Sequence, residues 1–210
     1  SVSDQTQGDW NGIVGKIELR EYNPISSVSV YPDIDKKEAK VTIKFAKKIS
    51  GTLVLEAESF NTDKQHTVKS EPVHVKDADT QEVVLSMGDD MLLWDEHSPQ
   101  LYHLTATLTQ KNVVRTSETY FGMRKIEIRG KMFYVNGKEI QLRGTVENCD
   151  FPNTGFPPTD LKSWISFYDK CKQWGLNHVR FHTYCPPEAA FLAADMTGMY
   201  IQPEGPSWPN

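Results

Sequence analysis

Phe133-Tyr-Val-Asn-Gly-Lys-Glu-Ile-Gln-Leu-Arg-Gly-Thr145 is the stretch on which the fold turns. Asn136-Gly137 between two apolar-alternating runs is the strongest short-range signal for a β-hairpin. Before it, the chain reads as short strands and turns. After it, strand and helix patterns alternate. The stretch therefore marks a change from an all-β domain to the opening of a parallel α/β domain.

Upstream, residues about 24–128 alternate with period two. Val28 and Val30, then Val41, Ile43 and Phe45, then Leu53, Leu55 and Ala57 each fall on one strand face, as do Val83 with Leu85 and the set Tyr102, Leu104, Ala106 and Leu108. Turn chemistry separates them at Asp33–Lys37, Ser50-Gly51, Asn61–Lys64, Gly88–Asp90 and Gln110–Asn112. About seven short strands so spaced predict an antiparallel, immunoglobulin-like sandwich. Lys47-Lys48 and Asp89-Asp90 read as solvated turn charges.

Downstream, Ile140–Val146 is expected to be a strand. Thr159 or Asp160 can cap a helix that starts at Leu161 and carries Trp164, Ile165, Tyr168, Cys171 and Trp174 at helical spacing. Gly175 closes it as a left-handed cap. Asn177–Phe181 is the next strand. Pro186-Pro187-Glu188 opens a second helix that Gly198 ends, and Met199–Gln202 is a third strand. Short connections imply parallel strands with right-handed crossovers. Three strands cover the faces of a parallel sheet poorly, so the natural continuation is a (β/α)8 barrel, here cut short. An open α/β sheet is the rival, but no glycine-rich phosphate loop is present.

The 210 residues are 38% hydrophobic and 24% charged, with a net charge of -5. That balance carries no electrostatic footprint for nucleic acid. No apolar run has the length of a membrane span. Ser1–Asp9 is polar and lacks the regions of a signal peptide. Cys149, Cys171 and Cys185 form no CxxC and read as free, buried thiols, so neither a zinc site nor a disulfide framework is expected.

The segment Asn136–Gly144 resembles the entry to the catalytic barrel of glycoside hydrolase family 2, which includes β-galactosidases, β-glucuronidases and β-mannosidases. Leu93-Trp-Asp-Glu-His-Ser-Pro-Gln-Leu-Tyr102 is similar to that family's Trp-x-Pro-x-x-Pro-x-Leu-Tyr signature. Phe121–Ile128 resembles its Gly-Phe-Arg strand, Lys172–Arg180 the segment before its second barrel strand, and Asp9–Leu19 the last strand of its jelly-roll domain. The resemblance implies three parts: the tail of a jelly roll at 1–22, an immunoglobulin-like sandwich at 23–129, and the first three βα units of a truncated barrel at 130–210.

It also implies a function, a retaining glycoside hydrolase cleaving terminal β-linked sugars. Barrel sites lie at the C-terminal ends of the strands. Glu147 and Asn148 stand at the first such end, Arg180 and His182 at the second, Glu204 and Trp208 at the third. These are the expected substrate-binding residues: planar groups for sugar hydroxyls and an aromatic face for C–H stacking. Each has a plainer reading. Arg180 can be a structural ion pair with Glu147 or Glu204, His182 a satisfied loop residue, and Trp208 a packing residue; His178, inside a strand, reads as packing.

The sequence departs from the family at Arg180-Phe-His-Thr-Tyr-Cys-Pro186, where members have Arg-x-Ser-His-Tyr-Pro. One step along a strand reverses a side chain, so His182 does not simply inherit the family histidine's role. The two catalytic carboxyl groups, about 5–5.5 Å apart in a retaining enzyme, are expected beyond Asn210, and neither Glu147 nor Glu204 takes their place. No cofactor and no metal site are expected. The partner is a carbohydrate substrate, with no nucleic acid and no membrane insertion, and a homo-oligomer of the parent is compatible. Family habit favours a periplasmic or extracellular parent. The rival from another class is a non-catalytic carbohydrate-binding or structural sandwich module, which would have no need of the α/β segment.

Overall fold

The computed structural model describes residues 17–205. Trp208 and most of the Asp9–Leu19 segment lie outside the described residues. Contacts separate a unit of Arg20–Ile140 from one that runs on from Gln141. The Asn136-Gly137 hairpin belongs to the first of these, and strand is the predominant element among the described residues.

In the first unit, β1 (Ile25–Asp33), β2 (Glu38–Phe60), β3 (Thr67–Lys69), β4 (Val73–Ser86), β5 (Leu101–Gln110) and β6 (Val113–Phe121) form one antiparallel sheet. Its pairing order is β1-β2-β5-β6, with β3 and β4 also on β2. Although β1 and β6 end that order, they touch each other, so the sheet curls back on itself. Inside the curl is a single core. Val41, Ile43, Leu53, Leu55, Ala57, Leu104, Ala106 and Leu108 are all fully buried in it. The period-two alternation thus points inward as expected.

One expected turn is absent. Ser50-Gly51 lies within β2, which runs unbroken through it with register shifts between Lys44 and Gly51. Gly51 serves close approach: a Cβ there would stand 2.8 Å from the Thr109 carbonyl oxygen. A strand that bends through irregular pairing can pass from one layer to the next without a loop. The turns at Asn61 (φ 59), Gly88 (φ 70) and Lys111 (φ 53) are present.

Three of the sequence motifs meet at Trp94. Its indole is 2% exposed and lies under the Arg124 guanidinium, 4.9 Å from the ring centroid. The Trp94 backbone N–H donates to the Met123 carbonyl at 2.9 Å, and the Trp94 carbonyl accepts from Asn136 Nδ2 at 3.0 Å. Gly122 leaves room for it, since a Cβ there would meet the Trp94 Cβ at 2.8 Å. Asn136 and Gly137 both have positive φ (51° and 78°), the requirement of the tight hairpin turn. That turn joins β8 (Met132–Val135) to β9 (Lys138–Ile140), and with β7 (Ile126–Arg129) they make a three-stranded antiparallel sheet.

The expected strand Ile140–Val146 is split. β9 stops at Ile140, and β10 spans Gly144–Glu147. The gap is held by Asn177, which is 3% exposed. Its Oδ1 accepts from the Arg143 N–H at 2.7 Å, and its Nδ2 donates to the Gln141 carbonyl at 2.9 Å. A buried amide satisfied on both sides replaces the ladder bonds that a continuous strand would have made.

In the second unit, β10, β11 (His178–Phe181) and β12 (Tyr200–Pro203) are parallel neighbours in that order, connected by α1 (Leu161–Gln173) and α2 (Glu188–Thr197). Asp160 is the N-cap, its Oδ1 accepting from the Ser163 N–H at 2.9 Å. At the other end of α1, Gly175 (φ 76) donates to the Lys172 carbonyl, and Leu176 donates to that of Cys171. This is the double bond pattern of a Schellman cap. Trp164, Tyr168, Val179, Phe181, Ala190 and Ala193 build the core between helices and sheet.

α1 ends at Gln173, so Trp174 is its C-cap and is 84% exposed. The expectation of buried thiols fails in part. Cys185 is exposed while Cys171 is buried, and all three thiols are free. No helix among the described residues is long and apolar enough to cross a membrane.

Candidate functional site

Register decides which side chains share a face of the parallel sheet. Thr145, Val179 and Ile201 are aligned, and Val179 and Ile201 belong to the helix-side core. Val146, Arg180 and Gln202 are aligned one step along. Alternation puts them on the opposite face, where Val146 is 48% exposed. At the C-terminal end of that face three of the expected residues come together.

Arg180 Nε donates to Glu204 Oε1. His182 Nδ1 lies 3.1 Å from Glu204 Oε2 and 3.3 Å from Arg180 Nη2. Of the two acids open to Arg180 from the sequence, Glu204 is the partner. Its carboxyl is held below the ordinary range above all by the Arg180 hydrogen bond; burial opposes this, and the weaker His182 bond adds to the lowering. His182 thus stands on the Arg180 side despite its shifted place in the motif. It follows Phe181, whose ring is fully buried on the helix side, and its peptide bond to Thr183 is cis.

Glu147 goes elsewhere. Its Oε2 accepts from the Tyr184 hydroxyl and its Oε1 from the Cys149 N–H at 3.0 Å. Its carbonyl accepts from the His182 N–H at 2.9 Å. Burial pushes its carboxyl pKa up, while the Tyr184 and backbone bonds act in the opposite sense. The same burial, with the Glu147 charge beside it, pushes the Cys149 thiol up to about 12, which leaves it protonated and inert as a nucleophile. Tyr184 is raised as well, by burial and by its bond to Glu147. Glu147 and Tyr184 together tie the loop after β10 to the loop after β11.

Asn148 is exposed, and its side chain makes no hydrogen bond among the described residues. His178 packs against Gly144, where a Cβ would meet its Nδ1 at 2.4 Å, in keeping with a packing role. Tyr184 was visible in the sequence only as one of several side chains near a strand end. Nothing in the sequence marked it as the partner of Glu147, because that pairing is made between two loops. Among the described residues, no three of His, Cys, Asp and Glu gather as a metal site would need.

The arrangement offers a planar guanidinium, an imidazole and a carboxylate side by side at the C-terminal edge of parallel strands. It can bind and orient hydroxyl groups.

A family model for glycosyl hydrolases family 2 matches residues 23–124. The β-galactosidase of Thermoanaerobacter pseudethanolicus is 30% identical over 210 residues, covering 95% of this chain and 28% of that protein. A putative β-glucuronidase of Formosa agariphila is 30% identical over 116 residues, 54% of this chain and 14% of that protein. Among solved structures, the β-D-glucuronidase of Dictyoglomus thermophilum superposes with a TM-score of 0.69 at 21% identity, covering 86% of this chain and 29% of that one. The chain thus spans well under a third of the length of each of these proteins. With the family model over its β-sheet unit and relatives of the same kind along its length, the chain belongs to glycosyl hydrolases family 2.

Proposed function

We propose that this chain is part of a retaining β-glycosidase that removes terminal β-linked sugars from oligosaccharides or polysaccharides. In this reading the curled sheet of Arg20–Ile140 is an immunoglobulin-like sandwich, and β10–β12 with their helices are the first units of a (β/α)8 barrel. The observation that carries it is the convergence of Arg180, His182 and Glu204 at the edge where such barrels bind substrate. These residues hold sugar hydroxyls. Proton transfer to the leaving oxygen and nucleophilic attack fall to two carboxyl groups outside this chain. Glu204, locked to Arg180 and kept ionised, is unsuited to be a proton donor.

The test uses the complete protein that carries this chain and aryl β-glycosides. The expected result is release of the sugar with its β-configuration first retained, read by proton NMR of the fresh product. The isolated 210-residue chain is expected to release none. Hydrolysis by that chain alone, abolished in Glu204→Gln, would overturn the assignment of roles.

A further inference from the structure

The outer face of the curled sheet changes character along its length. Pairing aligns Val54, Thr107 and Thr116 in one row across β2, β5 and β6, and Glu56, Thr105 and Glu118 in the next. Leu104 and Ala106, the alternate residues of β5, lie in the core, so these rows face away from it. The row after them is Glu58, His103 and Tyr120, with Phe60 beyond it. Here three rings gather. The Tyr120 ring centroid is 4.9 Å from that of Phe60 and 4.9 Å from that of His103, on which it stacks at 26°. Tyr120 is nevertheless 40% exposed.

A groove begins where the rings end. Phe60 leads straight into Asn61, and its strand partner Leu101 follows Gln100. Residues 61–64 and 97–100 line an open groove of about 340 Å³, a size that suits a small ligand. Its two walls are already tied together. Asn61 Nδ2 donates to the Pro99 carbonyl at 2.9 Å, and Thr62 Oγ1 donates to Gln100 Oε1 at 3.3 Å. The Asp63 carboxylate in the groove makes no hydrogen bond among the described residues.

We infer that this end of the sheet is a second, non-catalytic binding site for a neutral polysaccharide chain, with Tyr120 stacking on a sugar ring and the groove taking hydroxyls of the same chain. The inference rests on the glycosidase reading for the source of the ligand. It goes beyond that reading in placing a site on the β-rich unit, away from the parallel strands.

The chemistry selects the ligand. A pyranose offers an apolar C–H face together with a rim of hydroxyls. Exposed rings suit the first, and fixed carboxylates and amides suit the second. Glu118 has Oε2 3.2 Å from His103 Nε2, while its Oε1 has no partner among the described residues and can accept a hydroxyl. Asp63 and Lys64 cancel within the groove, and Glu58 and Glu118 leave the ring row negative. Uronates, phosphates and nucleic acid are therefore repelled, and a neutral chain is not. A protein partner would call for a contact centre depleted of charge, and these rings have carboxylates among them.

The test is native affinity electrophoresis of the complete protein through gels holding β-1,4-galactan, β-mannan or xyloglucan, with polygalacturonate as the anionic control. At least one neutral polymer is expected to retard the protein, and polygalacturonate is not. Tyr120→Ala is expected to weaken the retardation about tenfold in Kd, the worth of one good ring contact. Asp63→Ala is expected to weaken it from the groove side, and Tyr120→Phe, which keeps the ring, to preserve it. All three variants are expected to hydrolyse an aryl β-glycoside as the unaltered protein does, since so small a substrate needs no second site. No retardation by any neutral polymer, equal retardation by polygalacturonate, or retardation unchanged in both Tyr120→Ala and Asp63→Ala would each overturn the inference. The glycosidase reading falls separately, if the unaltered complete protein leaves the aryl glycoside intact.

Discussion

Two glutamates near the ends of neighbouring strands have opposite fates because their surroundings differ. Burial raises the Glu147 carboxyl above its ordinary 4.5, while Arg180 lowers that of Glu204 from the same value. The pH dependence of stability follows with opposite signs. In the window just above 4.5, folded Glu147 keeps a proton that the unfolded chain releases, so its effect is a loss of stability as pH rises through that window. Glu204 binds its proton less tightly when folded, so its contribution is present above 4.5 and is lost as pH falls below it. Urea midpoints measured across this range should therefore respond differently to two variants. Glu147→Gln should flatten the loss on the rising side, and Glu204→Gln the loss on the acid side. A Glu147→Gln profile parallel to the wild type would show that burial does not control that carboxyl.

Among the elements, β2 shows how a local signal can be right about a residue and wrong about its purpose. Ser50-Gly51 has the composition of a turn, yet the strand continues through it. The glycine is needed because the Thr109 carbonyl comes so close that a Cβ would lie 2.8 Å away. Gly51→Ala should therefore cost about 1–3 kcal/mol, the range for overpacking. Denaturant unfolding followed by far-UV circular dichroism would measure it, and a neutral result would mean that β5 yields easily. The split between β9 and β10 has a similar origin. Alternation from Ile140 to Val146 suggested one strand, and the amide of Asn177, far along the chain, interrupts it. By contrast both ends of α1 are legible to within a residue: the sequence offers Thr159 or Asp160 as the N-cap and Gly175 as the closing residue, and Asp160 and Gly175 act on backbone groups a few residues away.

At the scale of the whole molecule, the β-rich unit rests on a buried cluster centred on β2, β4 and β5, with Ile25 of β1 and Phe121 of β6 added. Leu55 is fully buried in it. Leu55→Ala should destabilise that unit by about 2–5 kcal/mol, the range for emptying a leucine site in a packed core. Amide exchange of β2 and β5 is the direct readout, and a loss under about 1 kcal/mol would mean that the core collapses into the space. Among the described residues, the parallel unit has its core on the helix side, and its other face carries Val146, Arg180 and Gln202. Under the proposed reading of β10–β12 as barrel strands, that second face would line the interior once the barrel is closed.

The sequence by itself determined what depends on near neighbours: the strand alternation, the Asn136-Gly137 turn, both ends of α1 and the parallel strand–helix order. It also named Arg180, His182 and Glu204 as candidates. Only the tertiary structure decided that Arg180 pairs with Glu204 and not with Glu147, that Tyr184 takes Glu147 instead, and that Gly51 is a point of contact in place of a turn. Periodicity and capping are set by geometry within a few residues. Pairings between loops and close approaches between strands depend on where distant segments come to rest, and no local pattern encodes that.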